Sequence, residues 1–345
     1  MLLDYRDYLR DNPTRAQLRK RRDPAPPHRF DPPAILEPSL VQLDPKPTKP
    51  ISWRTALLSI AISVSRGGNQ VAIKFALAAV APLWTAFARM SVSAIAVWIY
   101  ARSAGIRLWP EPANRRQLGL LGVMYTLQIA LLHWGADLTS PAYAVTLINT
   151  NPIFANLIAH FYVPADRLST RRVLGLTIAF VGVSYVAFGR PDATLAPHPL
   201  LGNWVIIVSS FLVGVRTVYI QHVVQSMPST RAVFWQLLFS IPCFALGGWF
   251  MGDSIRGPFD WKAITAILYQ GFIVGGLALV IWVRLLKAHS PGRISVFSFT
   301  TPMSGLILSS LFFGEQLTTR LFLGLAAVIT GISLAARPAD DIPRP

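Results

Sequence analysis

The most constraining feature of this 345-residue chain is an internal duplication of its hydrophobic part. Residues 139–188 and 289–336 share one pattern of prolines, small residues and apolar runs. Two prolines of the first copy have counterparts 150 positions later in the second: Pro141, Pro152, Pro291 and Pro302. A fold for this chain must therefore contain two related units.

The apolar stretches of the chain have the length of membrane spans. Hydrophobic residues make up 52% of the sequence and charged residues only 14%, whereas soluble domains carry about a quarter charged residues. After Ile51, apolar runs of about 20 residues recur, long enough to cross a hydrocarbon core about 30 Å thick. This pattern predicts an all-α membrane protein with ten transmembrane helices. The predicted spans are residues 55–78, 82–101, 116–136, 140–162, 170–189, 200–224, 230–251, 262–285, 292–313 and 318–336.

The duplication divides the chain into four predicted regions. Residues 52–190 form the first repeat with five spans, and residues 198–337 form the second repeat with the other five. Residues 338–345 are a short tail. Residues 1–51 are predicted to be a disordered, basic cytoplasmic tail, because ten of the 27 prolines and ten Lys or Arg residues lie in the first 50 positions.

The distribution of positive charge predicts the orientation in the membrane. If the N-terminus is cytoplasmic, most Lys and Arg residues lie on the inner side, as the positive-inside rule requires. The outer segments then hold only Arg190, Arg256, Lys262 and Arg320. The net charge of +16 thus reflects topology, and we expect no nucleic-acid partner. Both termini are predicted inside, and because each repeat has five spans, the two repeats run in opposite directions as inverted repeats.

Several polar residues fall inside the predicted spans of the first repeat. Charged groups at bilayer depth are costly unless they face a cavity or a partner, so each is a candidate for function. Arg66, Gln70 and Lys74 are spaced four residues apart and share one face of the first span. Arg89 lies in the second span. We predict that these four residues contact a substrate between the repeats; the structural alternative is snorkelling to a headgroup or capping of a broken helix.

The second repeat and the fourth span provide further candidates for substrate binding. Arg216 and Gln221 occupy the equivalents of Asn69 and Lys74, and Gln236 replaces Arg89. In the fourth span, one stripe is formed by Asn149, Pro152, Asn156 and His160. A proline break is tolerated where the freed backbone lines water or protein. The alternative for Asn149, Asn156 and His160 is hydrogen bonding that joins neighbouring helices.

The sequence resembles the drug/metabolite transporter superfamily and, within it, the EamA-type family, over about residues 52–337. The first span carries GGNQVAIK from Gly67 to Lys74, and the second carries Arg89 in its first half. The fourth and ninth spans each contain a proline and end at an acidic turn, ADRLS at residues 165–169 and GEQLT at residues 314–318. The first turn departs from the family pattern, with Ala165 for glycine and Asp166 for glutamate. The resemblance implies ten helices around a central cavity and transport of small metabolites.

These observations predict a secondary transporter, more specifically an exporter, in the inner cell membrane. All sixteen Asp and Glu residues lie in tails, loops or helix ends, whereas arginines and a lysine lie within spans. A cavity of unpaired cations favours a carboxylate-bearing metabolite such as an amino acid. Two alternatives remain open, a flippase for a lipid-linked carrier and a non-transporting receptor or assembly subunit. We predict no enzyme, cofactor or metal site; the partners are the metabolite and the bilayer, and the assembly is a monomer or a homodimer.

Overall fold

The computed structural model describes residues 53–162, 170–191, 194–252, 254–288 and 300–336. The regular elements of this part of the chain are helices. In the first repeat they are α1 (Trp53–Ala79), α2 (Pro82–Ser103), a 3-10 turn (Pro112–Asn114), α3 (Arg115–Leu138), α4 (Pro141–Ile148), α5 (Asn151–Tyr162) and α6 (Thr170–Ala187). In the second they are α7 (Pro199–Ser226), α8 (Ser229–Phe250), α9 (Trp261–Leu268), a π-helical segment (Tyr269–Ala278), α10 (Leu279–Ala288), α11 (Thr300–Phe313) and α12 (Thr319–Ala336).

The predicted all-α membrane class is confirmed. Among the described residues, five helical stretches are long and apolar enough to cross a bilayer: Pro82–Ser103, Pro112–Leu138, Pro199–Ser226, Ser229–Phe250 and Trp261–Trp282. Three shorter apolar helices accompany them: Val173–Ala187, Thr300–Phe313 and Thr319–Ala335. The number of ten spans and the inside location of both termini stay predictions. The predicted tails and the turn around Asp166 lie outside the described residues.

Two of the predicted spans are interrupted helices. The predicted fourth span divides into α4 and α5 at Asn149 and Thr150, immediately before Pro152. Proline has no backbone N–H to continue the helical ladder, and the side-chain amide of Asn151 donates to the carbonyl of Ile148 at 2.9 Å instead. The predicted eighth span passes from α9 through the π-helical segment into α10. Such π-helical turns occur often at functional sites.

The last helices of the two repeats pack directly on each other through glycines. A Cβ atom on Gly175 of α6 would lie 2.5 Å from the carbonyl oxygen of Gly331 in α12, and one on Gly182 would lie 2.8 Å from that of Gly324. Only glycine permits this approach of the two backbones. In the sequence these glycines are spaced seven residues apart in each helix, a pattern typical of helix-packing seams. Because the residue order is opposite along the two helices, α6 and α12 are antiparallel.

Candidate functional site

A cavity lies between helices of both repeats. The cavity volume is about 150 Å³. The first repeat contributes residues of α1, α2, α3 and α5 and the α4–α5 break, while the second contributes residues of α7, the π-helical segment, α10 and α11. The polar side chains that line it are Arg66, Asn69, Gln70, Arg89, Tyr125, Gln128, Asn149, Asn151, Arg216 and Thr301.

Arginine side chains dominate the charge of this cavity. Arg66, Arg89 and Arg216 line it, and none of its described lining residues is acidic. Arg89 is only 5% exposed, and its Nε and Nη1 atoms have no hydrogen-bond partner among the described residues. The Nε atom of Arg216 is likewise unpaired, whereas its Nη1 donates to Gln236 at 3.3 Å. A buried guanidinium with free donors is costly, so the cavity is suited to an anion that accepts these hydrogen bonds.

Two arginines of the cavity stack on aromatic rings of the opposite repeat. The guanidinium of Arg66 in α1 lies 5.3 Å from the ring centre of Trp282 in α10. That of Arg216 in α7 lies 5.0 Å from the ring centre of Tyr125 in α3. Cation–π contacts of this kind stabilise a cation without neutralising its charge. The arginines are therefore held in place while their charge stays available to a ligand.

Amide side chains on α1 also face this cavity. Asn69 and Gln70 are 6% and 4% exposed, and their side-chain carbonyl oxygens have no partner among the described residues. Their positions beside Gly67 and Gly68 place them where α1 approaches α11 of the second repeat. Free amide oxygens accept hydrogen bonds from an ammonium or hydroxyl group. Together with the arginines they match a ligand that carries both an anionic group and a donor.

Asn149 and Asn151 line the cavity from the break between α4 and α5. The side-chain amide of Asn149 closes onto the carbonyl of Val145, and that of Asn151 donates to the carbonyl of Ile148 at 2.9 Å. The bond from Asn151 satisfies the carbonyl that Pro152 leaves without an N–H partner, whereas the Val145 carbonyl also accepts the backbone N–H of Asn149 at 3.4 Å. Asn149 thus lies at the cavity, and its hydrogen bond to Val145 stays within α4 rather than joining neighbouring helices.

Lys74 does not line this cavity. Its Nζ donates to three backbone carbonyls at the end of α3, those of Ala136 at 3.2 Å, Asp137 at 3.1 Å and Thr139 at 2.9 Å. A cation at this position complements the negative end of the helix dipole and satisfies carbonyls that lack helical partners. The structure thus places Lys74 at a helix end and Arg89 at the cavity.

Three further predicted site residues do not line the cavity: Gln236, Asn156 and Gln221. Gln236 is fully buried and reaches the cavity only through its bond to Arg216. The side-chain amide of Asn156 donates to the carbonyl of Pro152 at 2.8 Å, within α5. Gln221 is exposed on α7. The side chain of His160 lies outside the described part of the structure.

Glu315 is a buried residue whose importance the sequence did not reveal. Gly314 ends α11 with a left-handed backbone (φ 63°), the conformation that glycine favours after a helix. The chain then turns so that the Glu315 side chain, only 4% exposed, accepts hydrogen bonds from Ser140 Oγ and from the backbone N–H of Ala142 at 3.1 Å. Ser309 Oγ donates to the same carboxylate. The sequence signal that could have indicated this residue was the Gly-Glu pair of the GEQLT turn.

Helices of membrane-spanning length, a two-repeat organisation and a polar cavity between the repeats define a membrane transporter of the drug/metabolite type. The chain belongs to the EamA-like transporter family, whose model matches residues 53–188 and again residues 200–337. The predicted family is therefore confirmed, and the protein is a transporter rather than an enzyme.

Relatives and a solved structure agree with this assignment. A probable amino-acid metabolite efflux pump of Escherichia coli strain K12 is 23% identical over 292 residues, which cover 82% of this chain and 94% of that protein. The uncharacterized transporter YoaV of Bacillus subtilis strain 168 is 19% identical over 274 residues, 79% and 93% of the two chains. A protein crystal structure with 18% identity superposes with a TM-score of 0.59 over 81% of this chain and 97% of its own, which supports the fold.

Proposed function

We propose that the protein is a secondary transporter that exports small carboxylate-bearing metabolites, such as amino acids or related compounds, across the inner cell membrane. The observation that carries this proposal is the cavity between the repeats, where Arg89 and Arg216 keep unpaired donors and no described lining residue is acidic. The similarity to probable amino-acid metabolite efflux pumps supports the proposal.

The substrate in this proposal bonds through two kinds of groups. Its carboxylate accepts hydrogen bonds from Arg89 and Arg216, because planar guanidinium groups match carboxylates in geometry and charge. Its amino group donates to the free amide oxygens of Asn69 and Gln70. Arg66 adds positive charge where the cavity approaches Trp282. Lys74 and Gln221 have no part in binding.

Counterflow in proteoliposomes tests this function. Purified protein is reconstituted, vesicles are loaded with an unlabelled amino acid chosen by a thermal-shift screen, and entry of the labelled compound is measured. We expect labelled substrate to enter only when unlabelled substrate is inside. We also expect the carboxamide analogue, which lacks the negative charge, to be a poor substrate. A receptor or assembly subunit would give no counterflow with any metabolite, and a flippase would respond only to lipid-linked compounds.

Arg89→Gln is the informative variant in this assay. The change removes the charge but keeps a polar side chain, and we expect counterflow at low substrate concentration to fall about tenfold or more, equivalent to about 1.4 kcal/mol of lost binding free energy. Arg102→Gln is the matched control, because Arg102 lies on the same helix but is exposed at its end. Parental activity in Arg89→Gln would remove this residue from the binding site.

A further inference from the structure

Polar contacts join the two repeats at the end of the bundle where α1 and α3 finish and α4 begins. Glu315 of the second repeat accepts hydrogen bonds from Ser140 and Ala142 of the first. Arg256 of the second repeat forms an ion pair with Asp137 of the first, with Nη1 2.7 Å from Oδ1. We call this region, residues 136–142 with Arg256 and Glu315, the closed end.

The carboxylate of Glu315 is a buried group of the closed end. Burial of an ionised carboxylate is unfavourable unless hydrogen bonds compensate it. One donor, Ser309, lies in the same repeat, but Ser140 and Ala142 lie in the other. Ser140 is also the N-cap residue of α4, and an anion at this position complements the positive end of the helix dipole. The position of Glu315 is therefore stable only while the two repeats are in contact.

Tight packing separates the closed end from the cavity. The side chains of α4 from Pro141 to Leu147 are buried throughout. A Cβ atom on Gly305 of α11 would lie 2.6 Å from the Val145 side chain of α4 and 3.0 Å from the backbone oxygen of Gly67 in α1. On the other side of the cavity, Arg66 keeps an exposed side chain. The cavity is thus sealed at the Glu315 end.

We propose that Glu315 is a latch between the repeats, which keeps this end of the cavity closed and must leave Ser140 and Ala142 when the end opens. This proposal rests on the proposed function, since a carrier exposes its cavity to the two sides in turn. The Arg256–Asp137 ion pair is the outer, partly exposed portion of the same closure. Separation of the repeats breaks both contacts, whereas the bond between Glu315 and Ser309 is unaffected.

Two serine variants distinguish a latch from a general stabilising contact. Ser140→Ala removes a donor to Glu315 across the repeats, and Ser309→Ala removes a donor to the same carboxylate within one repeat; both serines are fully buried. The reporter is Leu132→Cys, at a cavity residue of α3, in a Cys243→Ser background because Cys243 is the single cysteine. Oriented vesicles are treated with a membrane-impermeant thiol reagent. The reagent is added on the side from which it labels a Gln316→Cys variant, because Gln316 is exposed.

We expect Ser140→Ala to increase the labelling rate of Leu132→Cys about fivefold or more, the lower end of typical coupling between conformational states. Ser309→Ala should leave the rate unchanged. Glu315→Gln, which keeps the side-chain volume, should behave like Ser140→Ala. Equal rates in parent and Ser140→Ala, or equal increases in both serine variants, would overturn the proposal.

A second reporter excludes unfolding as the cause. Ala179→Cys lies in the buried packing of α6 against α12, away from the cavity. Labelling of this position should stay low in all variants. If Ser140→Ala and Glu315→Gln raise it as much as they raise labelling of Leu132→Cys, the contact only stabilises the fold and the latch is wrong. The measurement needs no substrate, so its result is independent of whether the protein carries a carboxylate.

Discussion

Lys74 and Arg89 are both basic residues inside the bundle, yet their surroundings differ. Arg89 faces the cavity with unpaired donors. Lys74 makes three hydrogen bonds to the end of α3. Backbone carbonyls offset the desolvation cost of the cation at Lys74, and in the proposed function an anionic substrate offsets it at Arg89. The two residues should therefore respond differently to substitution.

The first prediction concerns Lys74→Met, which keeps most of the side-chain length but removes the donors. Loss of charge-assisted hydrogen bonds should lower the free energy of unfolding by about 1–3 kcal/mol, measured as a lower midpoint of thermal unfolding in detergent. The control is Lys262→Met, at an exposed position of α9, which should keep the parental midpoint. A variant with an unchanged midpoint but no transport would show that Lys74 contacts the substrate.

For single residues, the sequence predicts which polar side chains lie within spans but not which groups they contact. The spacing of Arg66, Gln70 and Lys74 shows that they share one helix face, but the cavity reaches only the first two. The third lies beyond it, at the level where α3 ends. The burial of Glu315 depends on a turn of one repeat meeting a helix start of the other. Such a contact between distant segments leaves no periodic signal in the sequence.

The helices α1 and α11 approach each other unusually closely. A Cβ atom on Gly67 would lie 2.5 Å from the carbonyl oxygen of Thr301 and 2.8 Å from the backbone nitrogen of Gly305. These are backbone atoms, so they cannot move aside as a flexible side chain does. Thr301 also lines the cavity. The contact therefore determines both the packing of the two repeats and the width of the site.

The second prediction is that Gly67→Ala destabilises the protein by about 1–3 kcal/mol, the typical cost of forcing extra volume into a packed interior. Thermal unfolding in detergent provides the measurement. Gly119→Ala is the matched control, because Gly119 lies in α3 and a Cβ atom there would meet nothing within 4 Å. Alanine in a helix interior is favoured over glycine by about 0.5–1 kcal/mol, so this control should be neutral or slightly stabilising. Equal midpoints for both variants would contradict the close contact.

Elements with a strong periodic or compositional signal were predictable from the sequence. The apolar spans at residues 82–101 and 230–251 agree closely with α2 and α8, since their prolines and polar ends mark the helix limits. The glycine seam agrees with the seven-residue spacing of its glycines. The π-helical segment was not predicted; its Gly271 and Gly275 pack against Val92 and Ser93 of α2, and composition does not reveal such contacts.

The third prediction concerns the whole molecule and its direction in the membrane. If the repeats are inverted, the turns that follow the fourth and ninth spans face opposite sides. Single cysteines at Asp166 and Gln316, in a Cys243→Ser background, should be labelled by an impermeant reagent from opposite sides of oriented vesicles. We expect Gln316→Cys to react from outside, because the positive charge lies on the other side. Labelling of both positions from one side would refute the inverted arrangement.

The antiparallel seam between α6 and α12 has a consequence for the organisation of the molecule. Gly175 meets Gly331, and Gly182 meets Gly324, so each copy offers the same surface to the other, as identical subunits do across a two-fold axis. The protein is in this respect a dimer within one polypeptide. The connection between Ala187 and Pro199 serves as a tether that keeps the local concentration of the partner high. Assembly of the two halves is consequently independent of protein concentration, unlike that of separate subunits.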